Sequence, residues 1–231
     1  MSEPDIAEQV RGTGLDVAAA HEPAAEDGGD FYDVIRTPDG RVVVAVGDVS
    51  GKGLRSTVFM ATAQVLVREK AGQLRRPDEI VRAVSDALSE RNLHHLFVTL
   101  FCAVFEPASG SATYASAGHP SPAFVRPGRV PVVSFGSTAM MAGLFPEMPV
   151  DALPLDLARG DTLVIYTDGV TNAFDPSGVA FGERGLIAQL STDPYGNAAD
   201  TVAGLRAALK RHLGPAPATD DFVVVAVRRT L

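Results

Sequence analysis

The sequence predicts an α+β fold built mainly from antiparallel strands. Apolar runs of strand length are joined by tight-turn signals, "PDG" at 38–40, "PASG" at 107–110 and "PGR" at 127–129. Helical patterns come in pairs between groups of such strands, not singly between them, which disfavours a parallel βαβ sheet. No long Pro/Gly/Ser-rich tract divides the chain, so its 231 residues read as one domain, 1–231, with 1–14 a short, mobile leader.

The elements follow in order. "LDVAAAH" (15–21) and "FYDVIRT" (31–37) alternate as strands do, and "RVVVAVGD" (41–48) is apolar enough to be buried on both faces. The turn at 38–40 makes the last two a hairpin. A helix is expected over 54–71, with the apolar spacing Val58, Ala61, Val65, and another over 78–91, opened by Pro77-Asp78. Strands at 96–106 and 111–118 flank "PASG", and "PAFVR" and "VPVVSF" flank "PGR". "TLVIYTDG" (162–169) is the next strand, helices follow at 183–191 and 197–212, and "DFVVVAVRR" (221–229) is the last strand.

Composition narrows the function classes. A formal charge of −8 argues against a broad grip on nucleic acid, which needs lysine and arginine against phosphate. The single cysteine, Cys102, permits no internal disulfide and no cysteine-based zinc site, and its apolar setting reads as core. The N-terminus lacks a secretory pattern and no apolar run reaches the length of a membrane span, so the expected location is the cytoplasm, away from membranes.

The stretch "VVVAVGDVSGKGLRST" (42–57) has the strand–glycine–helix layout of a phosphate loop. It fails the Walker spacing, because three residues separate Gly47 from Gly51-Lys52 and Gly53 follows where a hydroxyl residue belongs. Asp48 would also set a carboxylate against phosphate oxygens, costing about 4 kcal/mol at about 4 Å and an effective dielectric of about 20. Other aspartates stand at strand boundaries: Asp30 and Asp33 in "GGDFYD", Asp168 after "TLVIYT", Asp220 and Asp221 before "FVVVAV". Each alone is ordinary turn chemistry. Together, with Gly29, Gly47 and Gly169 beside them, they read as carboxylates gathered around cations. Oxygen donors without cysteine or adjacent histidine select Mg²⁺ or Mn²⁺.

The motifs "GGDFYD", "VGDVSGKG", "FVTLF", "AGHPSP", "GDTLVIYTDGVTNA" and "TDDFVVVAV", in this order, resemble the PPM (protein phosphatase 2C) metal-dependent serine/threonine phosphatases, in their SpoIIE-like bacterial branch. The resemblance runs from about residue 15 to 229. It implies two packed antiparallel β-sheets flanked by helices, an αββα sandwich, with two or more Mn²⁺ or Mg²⁺ ions at one end. By motif, Asp48 bridges two ions and the Val49 carbonyl contacts one; Asp168 and Asp220 complete the other, with Asp221 the alternative to Asp220. Asp30 holds the first ion directly or through water, and Asp33 supports from outside the ligand set. Asp48 and Asp168 are then catalytic through a metal-activated water that attacks phosphorus directly, with no phosphoenzyme.

The implied substrate is a phosphoserine or phosphothreonine protein, such as a phosphorylated anti-sigma-factor antagonist. In this branch the helices after the metal loop act as a switch. With no second domain expected, control falls to a separate regulatory protein or to a homodimer. Departures stand beside the match. Ser50 occupies the place of the eukaryotic histidine, "AAED" (24–27) replaces the phosphate-clamping arginine, and Asn172 stands where a glutamate is usual. Lys52 is the candidate substrate contact. The competing reading is a phosphatase-fold binding module with little or no turnover. His119 reads as a turn stabiliser, His94-His95 lack a third ligand, and Ser50 does not fit a nucleophile elbow.

Overall fold

The apolar runs become strands in a computed structural model of the chain, which describes residues 6–24, 28–90, 92–133, 135–192, 196–215, 218 and 220–231. In chain order the elements are α1 (Ile6–Val10), β1 (Leu15–Glu22), β2 (Asp30–Arg36), β3 (Val42–Val49), α2 (Leu54–Gln73), α3 (Pro77–Ser89), β4 (Val98–Glu106) and β5 (Ser111–Ala117). There follow β6 (Ala123–Val125), β7 (Val132–Val133), β8 (Leu153–Pro154), β9 (Thr162–Tyr166), α4 (Asp168–Thr171), α5 (Gly182–Ser191), α6 (Ala198–Leu213) and β10 (Phe222–Arg229). They form two five-stranded antiparallel sheets with flanking helices, the fold class the sequence predicts. The contacts group into two compact units, one sheet in each.

The first unit holds the described residues of Met1–Thr13, Asp27–His119 and Gly136–Asp156. Its sheet runs β2-β3-β4-β5-β8. Val42 to Val46 are all fully buried, as a strand apolar at every position must be. Two helices cover this sheet. Pro77 opens α3 with Asp78 and Glu79 in its first turn, and Ile80, Val81, Val84 and Leu88 are buried at the 3–4 spacing of an amphipathic helix. On α2 the buried residues are Ser56, Ala63, Val67 and Ala71. The stripe that suggests this helix in the sequence is its outer face: Val58 is 58% exposed, Val65 is 64% exposed, and Ala61 is exposed too. Cys102 is fully buried in this core, and burial pushes its thiol up to about 12, which makes it an inert packing group.

The leader, to which the sequence reading assigns no element, carries α1 in its described part. There the Gln9 side chain accepts from the Arg36 amide at 2.8 Å, and the Arg36 guanidinium donates to the Arg11 carbonyl at 2.7 Å.

The second unit holds the described residues of Gly14–Glu26, Pro120–Phe135 and Leu157–Leu231. Its sheet runs β1-β10-β9-β6-β7, so β10 lies between β1 and β9. Leu186 and Leu190 of α5 and Leu205 and Leu209 of α6 pack with Tyr166, Phe222 and Val224 into one core. The expected strand over 162–169 stops at Tyr166 and the chain turns into α4. Among the described residues no helix is long and apolar enough to cross a membrane.

Candidate metal centre

The acids in the first unit are placed by strand register. At the β2–β3 turn the Thr37 amide donates to the Arg41 carbonyl and the Gly40 amide to the Thr37 carbonyl, each at 2.9 Å. Gly40 adopts φ 88°, a value that side-chain-bearing residues rarely take. The register set by this turn puts Asp30 directly across from Asp48. Directly opposed residues project from the same face, and like charges there repel. At about 5 Å and an effective dielectric of about 20 that repulsion is about 3 kcal/mol. Asp30 is buried and Asp48 half-buried, so water relieves the clash only in part.

Two glycines make the place possible. A Cβ on Gly47 would lie 2.5 Å from the Phe31 ring, and a Cβ on Gly29 would lie 2.8 Å from the Val49 carbonyl oxygen. The loop after β3 is anchored by Ser50, whose amide donates to the Phe97 carbonyl and whose hydroxyl accepts from the Phe97 amide, both at 2.9 Å. The Ser56 hydroxyl also donates to the Ser50 carbonyl at 3.1 Å. The position of the eukaryotic histidine is thus occupied by a structural serine. Lys52 lies exposed in this loop.

Asp33 projects from the other face of β2, three residues from Asp30. It is fully buried and receives the Arg68 guanidinium of α2, with Nε at 2.9 Å. Burial raises its pKa above the usual carboxylate range, against the opposing pull of Arg68. It tethers α2 to the sheet, in keeping with a place outside the ligand set.

The second unit places its acids by backbone contact. Thr167 is fully buried: its amide donates to the Val223 carbonyl at 3.1 Å and its hydroxyl accepts from the Val223 amide at 2.8 Å. This pins Asp168 at the first position of α4. A Cβ on Gly169 would stand 1.8 Å from the Asp221 carbonyl oxygen, so only glycine lets these two segments meet. That contact brings the start of α4 against the backbone of Asp221. The Asp221 carboxylate is buried and accepts from the Ala24 amide at 2.7 Å, whereas Asp220 is exposed. Asn172, in the place of the usual glutamate, donates to the Asp168 carboxylate at 3.1 Å.

Among the described residues, no three or more His, Cys, Asp or Glu side chains form a group able to hold a metal ion. The first unit sets Asp30 across from Asp48, and the second sets Gly169, next to Asp168, against the Asp221 carbonyl. The donors are carboxylates and the Val49 carbonyl, and the backbone cradles at Gly29 and Gly169 are ones a Cβ would fill. Such a set fits a hard divalent cation. His94 and His95 lie exposed in a turn. Of "AAED", residues 25–27 lie outside the described residues.

One polar pair escapes the sequence reading. Thr99 stands across β3–β4 from Asp48, and its hydroxyl lies 3.0 Å from His119 Nδ1. Pairing the predicted strands 41–48 and 96–106 in register would have exposed it. His119 is therefore tied to the row of residues that holds the acids.

The chain matches the profile of the family described as stage II sporulation protein E (SpoIIE) over residues 38–230. It is 27% identical to Protein IcfG of Synechocystis over 92% of this chain and 38% of that protein. It is 23% identical to the phosphoserine phosphatase RsbU of Bacillus subtilis, over 93% of this chain and 63% of that protein. It therefore spans less than two thirds of either relative's length. The SiaA-PP2C domain of Pseudomonas aeruginosa shares the fold, with a TM-score of 0.80 at 20% identity, covering 96% of this chain and 88% of that one.

Proposed function

This chain belongs to the SpoIIE (stage II sporulation protein E) family, and from that premise we propose that it is a metal-dependent phosphoserine/phosphothreonine protein phosphatase. The observation that carries the reading is Asp30 held directly opposite Asp48, a pairing that a divalent cation turns from repulsion into a binding site. The proposed ligand set takes both pairs of acids. Asp48, the Val49 carbonyl and Asp30 would hold one Mn²⁺ or Mg²⁺ ion, and Asp168 and Asp220 would hold a second. Asp221 drops to a supporting role, because its carboxylate already holds the Ala24 amide. When bound, such ions supply a water of lowered pKa and neutralise charge on the phosphoryl group.

The chain's own residues do the rest. The β2–β3 register and the Gly169 contact fix the carboxylates in advance, and Asn172 orients Asp168. Lys52, exposed in the loop after β3, would meet the phosphate of an incoming protein segment. The substrate we propose is a phosphoserine-bearing bacterial regulator of the anti-sigma-antagonist kind, in the cytoplasm, with a separate regulatory protein or a second copy of the chain as control. RsbU's name as a phosphoserine phosphatase supports the chemical class.

The test is hydrolysis of p-nitrophenyl phosphate with Mn²⁺ by wild type, Asp48→Asn and Asp168→Asn. The proposal expects a loss of at least about a hundredfold in both variants, on the scale of removing one charge-stabilising group from a phosphoryl-transfer or acyl-transfer site. Equal rates in all three would leave a binding module as the better account.

A further inference from the structure

The second unit contains a cavity that the metal reading does not use. Its volume is about 520 Å³, and it opens beside the β6–β7 turn. Three arginines line it: Arg126 and Arg129 from the turn, and Arg228 from the end of β10. Gly128, at φ 73°, tightens the turn, and the Arg129 amide donates to the Arg126 carbonyl at 3.1 Å. In the sequence "PGR" is only a turn signal; in the fold Arg126 and Arg129, at its two ends, both line one concavity.

Arg126 is not a loose surface charge. Arg126 lies over the Phe124 ring, 4.7 Å from its centroid, and pairs with Asp161 at 3.4 Å. Its plane is therefore set before any ligand arrives, which lowers the ordering cost of binding. Arg228 stands in register between Asp16 of β1 and Thr162 of β9. Arg129 is exposed and has no ion pair among the described residues, so the cavity keeps a positive charge. Apolar walls complete it, from Val125, Pro127 and Leu190. A bare oxyanion would use only part of such a volume, whereas a pocket of several hundred Å³ with apolar walls suits a small organic ligand.

The cavity is also remote from the acids of its own unit. Thr162 and Arg228 pair at one end of the β9–β10 ladder, and Tyr166 and Val224 pair at the other. Asp168 and Asp220 lie beyond that second end, so about 13 Å of strand separates the two places.

We propose that this cavity binds a small phosphorylated organic molecule, with its phosphate on the arginines and a flat body of nucleoside size on the apolar walls. Arg126 and Arg228 offer planar forks that match phosphate oxygens, and Arg129 supplies the remaining charge. The site is distinct from the metal-binding acids and does not depend on them.

The test is calorimetric titration of the full chain, in buffer containing Mn²⁺, with adenosine 5′-monophosphate, adenosine, or inorganic phosphate. Wild type is compared with Arg129→Glu, Arg228→Gln and Asp48→Asn, each checked for its fold by circular dichroism. The expected result is one nucleotide site in wild type and in Asp48→Asn. Each arginine variant should weaken it at least about tenfold, the effect of one charged hydrogen bond. Adenosine and phosphate alone should each bind more weakly than the nucleotide. Affinity unchanged in Arg129→Glu, lost in Asp48→Asn, equalled by adenosine, or undetectable at millimolar nucleotide would each overturn the proposal. Binding is read without turnover, so its outcome is separate from that of the phosphatase assay.

Discussion

The two pairs of acids reach their positions by different physical means. Asp30 and Asp48 face each other because a tight turn sets a hairpin register, and every residue along β2 and β3 helps to hold it. Asp168 starts a helix that meets the segment of Asp220 and Asp221 because one glycine lets it pass against the Asp221 carbonyl. The first arrangement is distributed over a sheet, and the second hangs on a single contact. A distributed arrangement should absorb a local insult that a single contact cannot.

Glycine-to-alanine changes put that difference to the test. Gly169→Ala sets a Cβ at 1.8 Å from the Asp221 backbone oxygen, so the backbone itself must move. It should cost about 3 kcal/mol or more, at the upper end of overpacking effects. It should also abolish metal-dependent hydrolysis, as read by urea unfolding and the p-nitrophenyl phosphate assay. Gly47→Ala meets the Phe31 ring at 2.5 Å, and a ring can turn where a carbonyl cannot. A cost of about 1–2 kcal/mol is expected there, with Mn²⁺ binding retained in calorimetry. Equal costs for the two variants would erase the distinction.

The smallest effect concerns the tether of α2. Burial raises the Asp33 pKa in the folded state more than Arg68 lowers it. A carboxyl with a raised folded pKa contributes stability fully below its unfolded value near 3.8, and loses it as pH rises through the folded value. Wild type should therefore lose ground to Asp33→Asn as pH rises from about 4, as seen in paired urea melts. A gain for wild type over that range would show that Arg68 outweighs burial.

Legibility from sequence follows the same division. The turn "PDG" and the flanking apolar runs make the β2–β3 hairpin readable, and with it the pairing of Asp30 and Asp48. That the Ala24 amide, 197 residues away, reaches Asp221 and not the adjacent Asp220 is not readable from the sequence. The strand expected through Asp168 ends early because Gly169 must clear Asp221, a contact that no local pattern announces. The stripe Val58, Ala61, Val65 identifies α2 as a helix but points to the wrong face. Smaller residues at Ser56, Ala63 and Ala71 let the helix sit close on the sheet, leaving the larger ones outside. The two-residue β8 and the four-residue α4 are too short to leave a period.

The position of β10 between β1 and β9 has a consequence for how the polypeptide is made. Leu15 pairs with Arg229, so β1 waits until β10 has emerged before it finds its neighbour. The β2–β5 meander, by contrast, is complete once Ala117 has left the ribosome. Long-range pairing of this kind slows folding and leaves edges of β1 and β9 open in the interim. The nascent chain thus carries one sheet with four of its five strands paired and another still lacking β10, and the latter is where chaperone capture or aggregation would begin.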